Sequence, residues 1–324
     1  MTTFEPAELT AAPGVGPADL VCPGDGGPLH WDEAGIACLQ CGRQWDRVGR
    51  IPVFESVEPD DLELEGDAEP DLAGADWRFL TPLDEASRVL DLGAGAGATT
   101  LAVAPEVELV AASDRSLDRV LALAARAKRM NLDNVALFVA AADVIPFPDR
   151  TFDLIALNDP VAGDPTPGSR RADDGTQRFF ERIWSKLAPG GRVWFETSNR
   201  WALPILVDGE RAVRPARVAH GLHGWRKALR GIGFDRIDFW APLRSLGSSK
   251  VFVPLDRPAA FEFILDRTPA GTRGRLRRTL EKWAFRSGLL PRVVPSFAVL
   301  ARKPPHSATS RSSTVSSPTL SRFA

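Results

Sequence analysis

The stretch Arg88-Val89-Leu90-Asp91-Leu92-Gly93-Ala94-Gly95-Ala96-Gly97 constrains the fold more than any other part of the chain. A short apolar run that stops at alternating glycines reads as a buried strand entering a tight turn, and Thr99 to Val103 reads as the helix that follows. Glycines here let the backbone turn sharply and let a ligand approach main-chain atoms without interference from a Cβ. Further apolar runs lie at Leu109–Ser113, Val135–Val139, Phe152–Leu157 and Arg192–Glu196. Between the second and third runs, Leu117, Val120, Leu121 and Ala124 recur at helical spacing within Ser116–Met130. Thr176–Leu187 reads as another helix, stopped by Ala188-Pro189-Gly190-Gly191. Strands alternating with helices predict right-handed crossovers, and hence a doubly wound α/β fold with a mostly parallel sheet and helices on both faces. Ser296–Ala301 is expected to close that sheet.

Two carboxylates at strand ends narrow the reading. Asp114 ends the second strand, where it can accept hydrogen bonds from both hydroxyls of a ribose. Asp143 follows the third strand and precedes Pro146-Phe147-Pro148-Asp149-Arg150-Thr151-Phe152-Asp153. A carboxylate there can bind an exocyclic amine, and the apolar residues beside it can hold an adenine face. Each Asp also has a plainer reading as a helix cap or turn residue. A nicotinamide-dependent oxidoreductase is the rival within this architecture, but it gives no reason for Asp143 or for Asp91 directly before the loop.

With these motifs together, the stretch from Arg88 to Glu196 resembles the class I S-adenosylmethionine-dependent methyltransferases, which have a Rossmann-like fold. The resemblance implies that Asp91, Gly93, Ala94, Gly95 and Gly97 cradle the methionine and ribose part of the cofactor. It implies that Asp114 and the adjoining Arg115 bind at the ribose, and that Ala142, Asp143 and Val144 line the adenine. Asn158, after the fourth strand, stands where the family places cofactor- and acceptor-facing residues. The implied activity is methyl transfer, with S-adenosylmethionine as cofactor.

Composition bounds the rest. The chain has 324 residues, is 25% charged and carries a net charge of -2, which excludes a wholly basic nucleic-acid-coating protein. Three cysteines are too few for a disulfide scaffold, and the first stretch lacks the pattern of a signal peptide. No apolar run approaches the ~20 residues of a membrane span. The expected location is therefore cytoplasmic. Residues 1–20 read as a loose leader, 21–54 as a small loop-rich module and 55–76 as a linker. From Glu55 to Asp76 the chain carries ten acidic residues and no Lys or Arg, too polar to offset its own ordering entropy. The methyltransferase domain is expected over 77–303, with an insertion at 242–296, and a Ser/Thr/Pro-rich disordered tail over 304–324.

Within the small module, Cys22-Pro23-Gly24-Asp25 and Cys38-Leu39-Gln40-Cys41 form two knuckles separated by 12 residues. Paired knuckles supply four ligands to tetrahedral zinc, here Cys22, Cys38 and Cys41 with Asp25 in place of a fourth thiolate. Together with Gly27-Pro28-Leu29 and Gly49-Arg50-Ile51-Pro52-Val53, they resemble the zinc ribbon that occurs alone as a methyltransferase activator and also fused to methyltransferases. The alternative is a metal-free ribbon packed around Trp31, Trp45, Ile51 and Phe54. In either form, a protein partner or the main domain is expected to dock on it.

The acceptor side is less explicit. Asn158-Asp159-Pro160-Val161 is not the Asn-Pro-Pro-aromatic motif of many amino-directed nucleic-acid methyltransferases. Asp159, His220 and His223 are the candidate bases, against plainer readings as a turn residue and as helix-capping or packing histidines. Residues 159–175, with three Pro and three Gly, read as a flap. The segments Thr197–Trp201, His220–Phe234 and Val251–Asp256 resemble methyltransferases of bacterial surface-polysaccharide and glycolipid assembly. That resemblance implies a sugar or glycolipid hydroxyl as acceptor. Between Gly271 and Arg292 seven Lys/Arg accompany one acid, with Leu276, Leu280 and Trp283 on one helical face. Such a helix suits either packing on the domain or peripheral contact with an anionic membrane, placing the protein at the inner membrane surface. An RNA or small-metabolite acceptor and a non-catalytic cofactor-binding scaffold are the remaining alternatives.

Overall fold

The structure, a computed structural model, describes residues 19–55, 70–158, 170–199, 220–244, 250–257, 259–260, 263, 294 and 296–305. The glycine-punctuated run forms strand β5 (Arg88–Leu92), and the loop leads into helix α1 (Ala98–Val103). β6 (Leu109–Asp114), β7 (Val135–Val139) and β8 (Phe152–Leu157) stand at the other expected positions. Every residue of β6 is buried, because this strand lies inside the sheet with helices over both faces. Helix α2 (Leu117–Arg129) is capped by Ser116, whose side chain accepts the Arg119 amide, and three basic residues occupy its last turn.

Helix α3 (Arg170–Lys186) begins inside the stretch expected to be a flap, and β9 (Leu187–Ser198) follows it directly. Ala188–Gly191 is therefore not a turn before the strand but a bulge within it. Phe152 pairs with Leu187, yet Leu154 pairs with Arg192. Gly190 takes φ +85, and a Cβ on Gly191 would stand 2.9 Å from the carbonyl oxygens of Ala188 and Phe152. Helix α4 (Leu222–Ile232) precedes β10 (Arg236–Arg244), β11 (Lys250–Pro254) and β12 (Ser296–Arg302).

The N-terminal module contributes β1 (Leu29–Trp31), β2 (Ile36–Cys38), β3 (Gln44–Val48) and β4 (Ile51–Val53). All twelve strands lie in one sheet of order β1-β2-β3-β4-β7-β6-β5-β8-β9-β12-β10-β11. The sheet is mixed rather than mostly parallel. Its five parallel pairings run from β4 to β9, while the six antiparallel ones belong to the β1-β2-β3-β4 edge and to the β9-β12-β10-β11 edge. Hairpin connections allow antiparallel strands to accrete at both ends of a crossover-built centre.

Two boundaries differ from expectation. β10 continues to Arg244 and pairs with β11, so the first part of the expected 242–296 insertion extends the sheet. The basic segment 271–292 lies outside the described residues. The end of the expected 55–76 linker is a 3-10 helix (Leu72–Leu80) whose Trp77, 2% exposed, stacks on Trp194 with ring centroids 4.9 Å apart. This helix packs with α1 and α2 on one face, around Leu101, Val103 and Leu123. α3 and α4 cover the other through Phe180, Ile183, Trp225 and Leu229.

Candidate functional site

Parallel pairing sets the site, because it brings several strand ends to one edge. Leu92 is level with Ser113 on one side and Leu157 on the other, and Asp114 with Val139. The residues following these strands, Gly93, Asn158 and Ala140, therefore all leave the same edge of the sheet. In open α/β sheets ligands bind at this carboxyl end.

The glycine loop is built around Asp91 and Asp114. Gly93, Gly95 and Gly97 all have positive φ, at 72°, 54° and 89°. A Cβ on Gly97 would come within 2.3 Å of Leu123 Cδ1, so this glycine lets the loop close onto α2. Nothing lies within 4 Å of a Cβ placed on Gly95, which leaves open space above the loop. Ala94, 7% exposed, donates its amide to the Ser113 carbonyl at 2.8 Å. The Gly95 amide donates to Asp114 Oδ2 (2.9 Å) and the Ser116 amide to Oδ1 (3.0 Å). Asp114 thus sits fixed under the loop with acceptor capacity left over. Arg119 approaches Asp114 to 3.9 Å, whereas Arg115 is exposed.

Asp91 is fully buried beneath the loop. Thr100 Oγ1 donates to its Oδ2 (2.6 Å) and Asn158 Nδ2 to its Oδ1 (2.5 Å). Burial pushes its carboxyl up to about 6, against these two donors, which favour the charged form. Asn158 is itself exposed at the rim and accepts from Thr99 Oγ1 at 3.4 Å. Its amide therefore joins β5, helix α1 and the end of β8, a role beyond the cofactor- and acceptor-facing one expected of it.

After β7 the chain turns through Ala141–Val144, closed by the Val144 amide donating to the Ala141 carbonyl (2.9 Å). Ala142 is buried, and Asp143, with its side chain 52% exposed, sits at the corner. Arg182 of α3 donates to the Asp143 carbonyl and lies 3.9 Å from its carboxylate. The Ala141 amide donates to Glu55 Oε2 (2.8 Å), a partner contributed by the ribbon side. Thr100, Arg182 and Glu55 were not singled out in the sequence. Thr100 carries no signal beyond its place at a helix start, and Glu55 looks like the first residue of a solvated acidic run.

Of the candidate bases, Asp159 lies outside the described residues. His220 packs edge-to-face on Trp225, with centroids 5.2 Å apart. Trp225 in turn packs on Phe195 at 4.9 Å, and Phe195 is paired with Leu157, the residue before Asn158. His223 is exposed on α4. The structure thus brings His220, rather than His223, into the aromatic packing beside the end of β8.

In the N-terminal module, Cys22, Asp25, Cys38 and Cys41 converge, with one ligand atom from each lying within 4.8 Å of the others. The Sγ atoms of Cys22 and Cys41 are 3.7 Å apart, and Asp25 Oδ1 is 3.5 Å from Cys38 Sγ. Tetrahedral zinc with ~2.3 Å Zn–S bonds requires sulfur separations near this value. The amides of Gly24, Gln40 and Cys41 donate to the Cys22 and Cys38 sulfurs at 3.3–3.4 Å, which favours thiolates, while burial pushes the Cys22 thiol up to about 12. The Cys22 thiol and the Gly27 amide hold the Asp25 carboxyl down to about 2, so it is ionised at neutral pH. This donor set fits zinc.

A sequence profile of the family described as "Methyltransferase domain" matches residues 89–191, from inside β5 to the bulge of β9. Over 68 residues the chain is 40% identical to the "Uncharacterized methyltransferase YcgJ" of Bacillus subtilis (strain 168), a match covering 21% of this chain and 27% of that protein. The chain therefore aligns with only about a quarter of that relative's length. The crystal structure of YcgJ from Bacillus subtilis has a TM-score of 0.43 at 18% identity, covering 72% of this chain and 98% of that one. The [4+2]-cyclase SpnF has a TM-score of 0.45 at 21% identity, covering 72% and 81%. A Haemonchus contortus phosphoethanolamine N-methyltransferase, in complex with phosphomonomethylethanolamine and S-adenosylhomocysteine, has 0.45 at 17%, covering 72% and 52%. Likeness at this level carries nothing about reaction or substrate.

The residues of the matched segment fit the cofactor that the matching family implies. The space above Gly95 admits a ligand against the loop backbone, and Asp114 keeps lone pairs for hydroxyl donors after accepting from two amides.

Proposed function

We propose that this chain is an S-adenosylmethionine-dependent methyltransferase whose acceptor is a hydroxyl of a sugar or glycolipid. The arrangement of Asp114 beneath the open glycine loop, held by the Gly95 amide, carries the cofactor half of this reading. A sulfonium cofactor supplies a methyl group that is already activated, so the protein's task is to align a nucleophile with it. Asp114 accepts the ribose hydroxyls, and the Ala141–Val144 turn offers Asp143 to an adenine amine. Buried Asp91 and Asn158 hold the loop in place from below and from the rim.

The acceptor half rests on the sequence. Asn158-Asp159-Pro160-Val161 departs from the amino-directed motif, and segments after β9 resemble enzymes of surface-polysaccharide assembly. A hydroxyl ionises poorly, so its attack needs a base. His220 is favoured over His223 by its packing beside the end of β8, and Asp159 is the other candidate. In this reading the protein works in the cytoplasm and meets a glycolipid at the inner membrane surface through residues 271–292. Among the described residues, no helix is long and apolar enough to cross a membrane. The ribbon holds one structural zinc and offers a surface to a protein partner.

Titration with S-adenosylhomocysteine tests the cofactor half. Asp114→Ala should weaken binding by roughly 1–3 kcal/mol through loss of a charged acceptor. Unaltered affinity, or tight nicotinamide dinucleotide binding by the parent, would sink it. A tritiated-methyl assay against extracted glycolipid, total RNA and protein fractions tests the acceptor half. Label is expected in glycolipid, and label in RNA would replace this acceptor with a nucleic acid.

A further inference from the structure

We propose that Glu55 is a positioning residue of the cofactor site, through which the ribbon sets the affinity for the adenosine part of the ligand. The proposal rests on the reading that the Ala141–Val144 turn faces the adenine. β7 ends at Val139, and the Ala140 amide makes the last bond to the neighbouring strand, donating to the Asp114 carbonyl (3.1 Å). From there the backbone leaves the sheet. The next amide, on Ala141, belongs to a residue 6% exposed and has no strand to pair with. A buried amide without an acceptor is costly, and a conformation that strands one is not held. Glu55 Oε2 accepts this amide at 2.8 Å.

Ala141 is also the residue whose carbonyl closes the turn that presents Asp143. Glu55 therefore fixes the turn at its first residue, while Arg182 holds the Asp143 carbonyl. Two backbone bonds from the ribbon side grip the same segment. The Phe54 amide donates to the Val139 carbonyl (2.9 Å), and the Val21 amide to the Pro146 carbonyl (3.0 Å). The ribbon thus holds the segment before, at and after the turn. Of these contacts only that of Glu55 is made by a side chain, so it is the one that substitution can remove without disturbing the backbone.

The test is calorimetric titration of the full chain with S-adenosylhomocysteine, run on the parent, Glu55→Ala, Glu55→Gln and Asp114→Ala, with thermal midpoints measured alongside. Glu55→Ala should weaken binding about tenfold, the loss of one charge-assisted hydrogen bond that orders the site. Glu55→Gln keeps an amide oxygen that can accept from Ala141 and should stay within about threefold of the parent. That rescue separates positioning from charge. If Glu55→Gln loses as much as Glu55→Ala, the carboxylate acts by its charge and the proposal is overturned. If Glu55→Ala binds like the parent while Asp114→Ala does not, the proposal fails and the cofactor reading stands. A parent that binds no S-adenosylhomocysteine overturns both.

Discussion

Asp91 concentrates the physical tension of the site in one residue. It is a wholly buried carboxyl that accepts from the hydroxyl and backbone amide of Thr100 and from the side-chain amide of Asn158. Its folded pKa of about 6 lies above the ordinary 3.8, so the folded chain keeps this proton to higher pH than the unfolded chain does. Below about pH 4 both states are protonated and the group is neutral to stability. As pH rises from about 4 to about 6 the unfolded chain releases the proton first, and stability falls. Above about 6 the loss is complete, on the order of 3 kcal/mol for such a separation. Denaturant midpoints of the parent and Asp91→Asn should therefore diverge between pH 4 and 6, the parent losing ground as pH rises. Parallel profiles would refute this account of Asp91. Its oxygens tie Thr100 of α1 and Asn158, the residue after β8, to the strand beneath the loop.

At the scale of elements, the junction of β5 with α1 depends on a close approach to α2. Gly97 is the residue before α1, at φ +89, and Leu123 of α2 is 1% exposed directly against it. A methyl group on Gly97 would meet Leu123 Cδ1 at 2.3 Å, and the packing around Leu123 leaves that side chain little room to move. Gly97→Ala should cost roughly 1–3 kcal/mol from overpacking, in addition to backbone strain near 1 kcal/mol. Gly95→Ala should cost only the strain, because open space surrounds that position. Chemical denaturation of the two variants measures the difference, and equal stability would contradict the role given to Gly97. Adding Leu123→Ala should recover part of the Gly97→Ala loss, since neighbours in contact are not additive.

For the whole molecule, the decisive joint is the one between the N-terminal module and the rest of the sheet. β4 pairs with β7 in parallel, Val53 against Val139, so the small module continues the large sheet. Trp45 and Phe54 carry the aromatic packing across, with centroids 5.5 Å apart, and Phe54 reaches Phe138 at 6.4 Å. If zinc ties the knuckles, elemental analysis after metal-replete expression should find about one zinc per chain. Its removal by chelation should lower the thermal midpoint, because metal affinity adds to the folding free energy of so small a unit. Absence of zinc would leave the metal-free ribbon, held by Trp31, Trp45, Ile51 and Phe54, as the correct description.

What the sequence determined by itself was local. Apolar runs ended by glycine, helical spacing in Leu117–Ala124 and carboxylates at strand ends are short-range patterns. They locate β5 to β8, α2, and the loop from Asp91 to Gly97 because each answers to neighbours a few residues away. Tertiary structure decided everything that joins distant parts of the chain. Only strand pairing shows that the sheet is mixed, since parallel β6 and antiparallel β12 are both continuous apolar runs buried on both faces. Asn158 meets Asp91 across 67 residues and Glu55 meets Ala141 across 86, and no periodicity encodes either contact. Glu55 read as solvated because its neighbours in sequence are acidic. Folding instead sets it against a buried amide that had to find an acceptor once its strand had ended.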